Sequence, residues 1–295
     1  MSITIRQVHP HFVGEVSGLD LRRPLDPEQA REIHEAMDRL GVLVFHDQDL
    51  SDDHQVAFSR SFGKLELAVG SNVVKPEQRR LRLEMADVSN LDKHGQMLER
   101  NDRRRMFNLG NRLWHSDSSF RATPSKFSIL SCRSKPSTGG NTEYAFMPAA
   151  YEALDQETRE EIADLVTEHS LIFSRGVMGF ADFSEEERAT FEPVRHALVR
   201  TNRLTGRKSI YLSSHIGSIV GWPVPEARDF IRDLIEHATQ PEFRYVHEWR
   251  VGDLVMWDNR QCMHRVRRFR DTGEVRDMRR TTVAGEGPTI EAEAA

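Results

Sequence analysis

The sequence has little cysteine, no long apolar run and no excess of one charge, and each shortage excludes something. Two cysteines, Cys132 and Cys262, cannot build a disulfide framework and fit a reducing cytoplasm. Without a charged-then-apolar leader or a run of about twenty apolar residues, neither secretion nor membrane spanning is expected. Forty-one Lys and Arg against 46 Asp and Glu give a net charge of −5. That balance offers no basic field for a nucleic acid or an anionic membrane. No glycine-rich phosphate loop and no Gly-x-Ser-x-Gly elbow is present. What remains is the ordinary mixture of a globular protein, with 38% hydrophobic and 29% charged residues. The 295 residues exceed the usual domain, but all-β sandwiches and barrels reach that length as one unit. One domain over 1–285 is expected, then a small acidic, disordered tail over 286–295.

Along the chain, Ile3, Ile5, Val13, Val16 and Leu19 among polar neighbours read as one or two short strands. Asp26-Pro27 caps and starts a helix whose stripe is Ala30, Ile33, Met37 and Leu40, and Gly41 ends it. Val42–Phe45 reads as a buried strand, and Ser51 or Asp52 opens a second helix that stops at Gly63. Residues 66–112 are polar and irregular, with Arg79-Arg80 and Arg103-Arg104-Arg105 read as solvated. A long loop there also suits a substrate lid. Phe127–Ser131 alternates as a strand, and Thr138–Glu143 turns into another at Tyr144–Phe146. One helix is expected from Pro148 to about Val166, and a mobile loop over Phe173–Glu187. A hairpin over Ala197–Ser213, a helix from Pro225, and strands at Phe243–Trp249, Leu254–Trp257 and Arg279–Ala284 complete the reading. Many short strands with a few outlying helices predict a mainly β fold, a double-stranded β-helix or jelly roll, rather than βαβ units.

The chemistry centres on Trp114-His115-Ser116-Asp117. Side chains two apart in extended chain point the same way, so His115 and Asp117 can grip one metal ion. His264, beyond the tight turn at Gly252-Asp253 and the strand Leu254–Trp257, is the candidate third ligand. Two His and one carboxylate leave three coordination positions open, as in non-haem Fe(II) oxygenases. The motif is weak alone, since 13 histidines yield about one His-x-Asp triplet by chance. His264 read by itself is as well a core histidine satisfied by Asp258 or Asn259. Arg276 and Arg280 share a face of an extended segment and suit two carboxylates by bidentate hydrogen bonds; the bland alternative is a solvated basic edge. Thr142 can donate to the same carboxylate as Arg276. Asn111, four residues before His115, can face the same cavity.

Together, Trp-His-Ser-Asp, Gly-Gly-Asn-Thr-Glu at 139–143, Gly-Asp-Leu-Val-Met-Trp-Asp-Asn-Arg at 252–260, the following His264 and Arg-Asp-Met-Arg-Arg-Thr-Thr at 276–282 carry a resemblance. The chain resembles the Fe(II)/2-oxoglutarate-dependent taurine dioxygenase family from about Val8 to Ala284, nearest its aryloxyalkanoate branch. The resemblance implies His115, Asp117 and His264 as iron ligands, and Arg276 and Thr142 on the distal carboxylate of 2-oxoglutarate. It implies Arg280 on the anionic group of the primary substrate, with Asn111 and His215 near that substrate. Two departures stand out. The His264–Arg276 spacing is one residue longer, through Asp271-Thr272-Gly273. A substrate lysine of relatives is replaced by Ser71 and Asn72, with Lys75 nearby, so Asn72 and backbone N–H groups there are candidates for the substrate carboxylate. The implied reaction hydroxylates the carbon next to the ether oxygen of an aryloxyalkanoate of the 2,4-D or dichlorprop type. It releases a phenol and a 2-oxo acid, with succinate and CO₂, using O₂. The alternatives are the same chemistry on an alkylsulfonate such as taurine, and a non-catalytic metal-binding jelly roll. A cytoplasmic homo-oligomer is expected by analogy with the family.

Overall fold

The computed structural model describes residues 3–68, 74 and 76–290. It is sheet-rich with helices at its periphery. β1 (Thr4–Gln7) and β2 (Gly14–Ser17) form the expected opening pair. α1 (Pro27–Leu40) begins where Asp26 and Gln29 bond reciprocally in a capping box, and it ends at Gly41 with φ 67°. β3 (Val42–Phe45) follows, then α2 (Asp52–Arg60), capped by Ser51. The stretch read as irregular holds a short β4 (Ala86–Asp87) and α3 (Arg103–Asn108). β5 (Phe127–Ser134) extends past the strand expected at Phe127–Ser131, and β6 (Thr142–Phe146) takes in Thr142 and Glu143 of the expected turn.

The single helix expected over 148–166 is instead α4 (Met147–Glu152), α5 (Gln156–Ile162) and the start of β7 (Val166–His169). Asp155 causes the break, because its side chain accepts from Thr158 N–H and starts a new helix. The loop expected over 173–187 is also corrected. α6 (Leu171–Val177) and α7 (Glu185–Thr190) are each capped by a serine, Ser170 and Ser184. Then come β8 (Val194–Ala197), β9 (Val199–Thr201), β10 (Lys208–Ile210), β11 (Ile216–Ile219) and α8 (Val224–Ala238). β12 (Arg244–His247), β13 (Leu254–Asp258), β14 (Cys262–Val266) and β15 (Asp277–Val283) close the chain.

A seven-stranded sheet has the order β1-β2-β3-β13-β5-β15-β4, and a three-stranded one β12-β6-β14. Period-two alternation divides the large sheet between two cores. Val42, Val44, Leu130, Cys132, Val255 and Trp257 point inward, against Tyr144, Phe146 and Met263 of the small sheet. Leu43, Phe45, Ile129, Leu254 and Met256 point outward, under Ile33, Met37 and Leu40 of α1 and Val56 and Phe58 of α2. Each fully buried apolar side chain contributes about 1.5–3 kcal/mol. The strands in the middle of the large sheet are therefore fixed from both faces. Buried polar groups interrupt the outer face, where Ser131 bonds Gln55 and Thr281 bonds Ser59, as well as the inner one at Ser128.

The arginine runs are not simply solvated. Arg80 bridges Asp87 at 2.8 Å and Asp277 at 2.6 Å. Arg103 pairs with Glu187, and Arg105 with Asp271 at 2.9 Å. These ion pairs fasten the 76–112 stretch to β15 and α7. The segment expected to be a free tail is held over its first residues. Glu286 takes Lys126 at 2.6 Å, and Thr289 bonds His196 Nδ1 at 2.8 Å. Among the described residues, no helix is long and apolar enough to cross a membrane.

Candidate metal centre and its cleft

His115 and His264 lie directly opposite each other in an isolated antiparallel bridge. The His115 N–H donates to His264 O at 3.0 Å, and the His264 N–H donates to His115 O at 2.8 Å. Backbone pairing, not side-chain chance, therefore sets their spacing, and their ring centroids are 4.2 Å apart. Asp117 follows two residues on, where the chain enters a turn. Immediately after it Ser118 turns left-handed, at φ 55°, a conformation uncommon outside glycine. Its hydroxyl donates to Glu66 at 2.8 Å and holds that turn.

The three side chains converge. His115 Nε2 is 3.7 Å from Asp117 Oδ1, and His264 Nε2 is 3.7 Å from Asp117 Oδ2. Donors to one ion, each about 2.1 Å from it, lie at most about 4.2 Å apart, so both separations suit a shared ion. Among the described residues, this is the one cluster of at least three His, Cys, Asp or Glu suited to a metal. The Nδ1 of His115 meets Leu113 O at 2.8 Å. A carbonyl can only accept, so Nδ1 carries the proton and Nε2 presents its lone pair.

Their electrostatics also suit a metal. Burial pushes the titration of both imidazoles down, and that of His264 goes well below its usual range. Burial alone would push the Asp117 carboxyl up. Arg280, the two imidazoles and the Ser128 hydroxyl outweigh it and hold the group well below the ordinary carboxylate range. All three donors are thus deprotonated at neutral pH, the state a metal requires.

Asp117 is braced on every side. Ser128 Oγ donates to Oδ2 at 2.7 Å, and Arg280 donates to Oδ1. The Asp117 N–H donates to Asn259 Oδ1 at 3.0 Å, and its carbonyl accepts from Ser125 Oγ at 2.8 Å. Asn259 also donates to Ser128 at 2.9 Å and accepts from the Trp257 indole at 3.0 Å. The alternative of a core histidine satisfied by Asp258 or Asn259 does not hold. Asn259 serves Asp117, and Asp258 pairs with Arg260 at 2.7 Å.

Asn111, His115, Asp117, His215 and Arg280 line one cleft of about 860 Å³, together with Arg175, Phe107 and Phe120. The His215 Nδ1 bonds Ser174 at 2.7 Å, and its ring stands 5.1 Å from Phe120. Arg276 lies in an adjoining hollow lined also by Asn90, Val266 and Phe269, and Asn111 borders both spaces. The Arg276 side chain donates from Nε to Gly140 O at 3.1 Å. Burial lowers its titration to about 10, and no carboxylate pairs with it among the described residues. Thr142 is buried, and its hydroxyl oxygen accepts from the Trp249 indole at 2.9 Å. The indole only donates, so the Thr142 hydroxyl hydrogen is left free to donate elsewhere. Residues 271–273, where the resemblance implies one extra residue, lie in a pinned loop. Asn90 Nδ2 donates to Asp271 O and Glu274 O, both at 2.8 Å, while Asn90 Oδ1 accepts from Arg276 N at 2.8 Å.

Asn72, with Ser71 and Lys75, lies outside the described residues. Sequence reasoning missed Ser128, Arg175 and Glu66. The signal for Ser128 was there, since alternation along β5 places it on the inward face with Leu130 and Cys132.

Two imidazoles and one carboxylate on a sheet scaffold form the donor set of mononuclear non-haem iron oxygenases. The family model described as taurine catabolism dioxygenase TauD, TfdA family, matches residues 4–282, and the chain belongs to that family. It is 43% identical over 285 residues to the alpha-ketoglutarate-dependent 2,4-dichlorophenoxyacetate dioxygenase of Cupriavidus pinatubonensis (strain JMP 134 / LMG 1197), covering 96% of this chain and 98% of that one. It is 42% identical over 288 residues to the protein of the same name from Burkholderia sp. (strain RASC), covering 97% and 95%. A solved structure described as AAD-2 in complex with Mn(II) and N-oxalylglycine is 59% identical. It superposes with a TM-score of 0.96, over 98% of this chain and all of that one.

Proposed function

We propose that this protein is an Fe(II)- and 2-oxoglutarate-dependent dioxygenase acting on aryloxyalkanoates. It hydroxylates the carbon between the ether oxygen and the carboxylate. The product hemiacetal falls apart to a phenol and a 2-oxo acid, while 2-oxoglutarate and O₂ become succinate and CO₂. The observation that carries this reading is the buried His115–Asp117–His264 cluster, deprotonated and opening on the cleft.

His115, Asp117 and His264 would hold the iron. Bound with 2-oxoglutarate and O₂, the metal supplies the oxidant that turns the C–H into C–OH; the remaining work belongs to the chain. Arg276 offers a buried guanidinium, without a carboxylate partner among the described residues, to the far carboxylate of 2-oxoglutarate, and Thr142 offers its hydroxyl hydrogen. N-oxalylglycine, bound in the AAD-2 structure, differs from 2-oxoglutarate only by an NH in place of a CH₂, which supports the same co-substrate here. Arg280 lines the cleft with its Nε unpartnered among the described residues, placed to meet the substrate's anionic group. Asn111 and His215 shape the wall beside it, and Asn72 belongs to the same substrate-binding proposal. Phe107 and Phe120 exclude water around the carbon to be oxidised.

The seven- and three-stranded sheets sandwiching one core support a double-stranded β-helix, formed as a single domain. The same reading makes the protein a cytoplasmic homo-oligomer. Light scattering on the eluting protein tests the self-association.

The relatives named for 2,4-dichlorophenoxyacetate favour an aryloxyalkanoate over an alkylsulfonate such as taurine. A substrate panel with succinate as readout tests this. Phenol release from an aryloxyalkanoate is expected. Sulfite release from taurine without phenol release would transfer the site to the sulfonate, and no succinate from any substrate would leave a non-catalytic metal protein.

A further inference from the structure

Three arginines line the cleft beside the candidate metal centre: Arg121, Arg175 and Arg280. Two have acidic neighbours. Arg121 lies 3.6 Å from Glu66, and Arg280 sits on Asp117. Arg175 is different. It is 5% exposed, and no carboxylate lies within ion-pair reach among the described residues. Its contacts are neutral. Nη2 donates to Asn111 Oδ1 at 3.2 Å, Nη1 lies 3.5 Å from Ser174 Oγ, and Nε has no partner among the described residues. The guanidinium carbon stands 4.6 Å from the centre of the Phe107 ring, which holds the fork flat.

The backbone is shaped around this side chain. A Cβ on Gly110 would fall 2.3 Å from Nη1 and 2.4 Å from Cζ of Arg175. Only glycine leaves the guanidinium its place. A buried, uncompensated cation is costly, and here it faces the cleft rather than an apolar core. Every carboxylate on the lining already has an arginine: Asp117 has Arg280, Glu66 has Arg121, Glu84 has Arg82 and Asp87 has Arg80. Among the described residues, Arg175 is therefore the lining cation whose charge is left without a counter-charge. An anion entering the cleft would cancel it, with Asn111 and Phe107 having already fixed the fork.

We propose that Arg175 is a substrate-binding residue whose guanidinium receives the carboxylate of the aryloxyalkanoate from the α6 wall, complementing Arg280 and selecting acids over neutral aryl ethers. This rests on the function proposed above.

The test uses the anaerobic protein loaded with Fe(II) and 2-oxoglutarate, whose visible charge-transfer band shifts when a primary substrate enters. The probe is 2,4-dichlorophenoxyacetate, with its neutral primary amide as control. Arg175→Gln is expected to weaken binding of the acid tens- to hundredfold. The band itself should form at unchanged 2-oxoglutarate concentration, and the preference for acid over amide should collapse. Arg175→Lys should recover part of the affinity, as a point charge without the planar fork. Gly110→Ala, which keeps the charge but displaces it, should weaken the acid as well. Wild-type affinity for the acid in Arg175→Gln overturns the inference and leaves the proposed function standing. So does loss of the 2-oxoglutarate band in that variant, which would make Arg175 a structural support. A wild-type band that no aryloxyalkanoate shifts removes the function and this inference together.

Discussion

The floor of the cleft and its outer wall are built by different physics. The floor is Asp117 and the two histidines, locked by main-chain pairing and by a buried network: Ser128 and Arg280 donate to the Asp117 carboxylate, and Asn259, held by the Trp257 indole, accepts from its N–H. The wall, over residues 76–112 and 171–190, is fastened by charge. Arg103 joins α3 to α7 through Glu187, Arg105 reaches Asp271, and Arg80 ties β4 to β15. Bonds buried in a dry interior are screened little by salt, whereas part-exposed ion pairs are screened by it. The difference teaches that metal affinity and substrate access can vary independently. None of these wall ion pairs includes His115, Asp117 or His264, so loosening the wall is expected to leave the proposed ligands in place.

The most damaging change to the floor should be His264→Ala. Fe(II) binding and turnover are expected to disappear while the far-ultraviolet spectrum stays native, as an iron titration would show. Retained turnover would break the ligand assignment and the contrast with it. Ser128→Ala is expected to do less. It removes one hydrogen bond from Asp117, and loss of such support typically weakens metal binding about 10- to 100-fold, measurable as the Fe(II) concentration for half-maximal activity.

Acid should act next, through the paired strands β7 and β8, which flank α6 and α7 in the chain. His169 and His196 are buried with their rings 4.9 Å apart. Burial brings His196 down to about 4 and pushes His169 well below its usual range. Both are neutral in the folded protein and take up protons more readily when unfolded. Their stabilisation is therefore complete above the unfolded value near 6.5 and is lost as pH falls from there through about 4. His196→Asn should flatten the fall in melting temperature over that range; an unchanged slope would place the acid sensitivity elsewhere. The smallest effect belongs to the wall. Arg105→Gln is expected to lower stability by about 1 kcal/mol or less, with the loss shrinking in high salt and Fe(II) affinity unchanged. A matching loss of Fe(II) affinity would erase the distinction between floor and wall.

Local signals were legible in the sequence and distant ones were not. α1 declares itself through Asp26, Pro27 and Gly41 within sixteen residues, and the structure follows that signal at both ends. The two-residue spacing of His115 and Asp117 suggests that they share a face, although Asp117 itself opens a turn, and the surrounding motifs are needed to add His264. The wall was misread because its partners are remote. Nothing beside Arg105 in the chain announces Asp271, and nothing beside Arg80 announces Asp277. Gly176 and Gly179 made 173–187 look like a loop, which hid Arg175 on α6. The flanking serine caps carried the opposite message. Asn259 was visible as a polar residue beyond a strand, but its true partner, Asp117, is 142 residues away.

The reciprocal main-chain pairing of His115 with His264 has a consequence for dynamics. Each amide proton is held by the other residue's carbonyl, so neither can exchange with deuterated solvent until the two segments part. Uptake at these two amides would then time the opening of the centre itself, in the metal-free as well as the metal-loaded protein. Equal rates at both positions would mean that the two segments separate in one event rather than fraying one at a time.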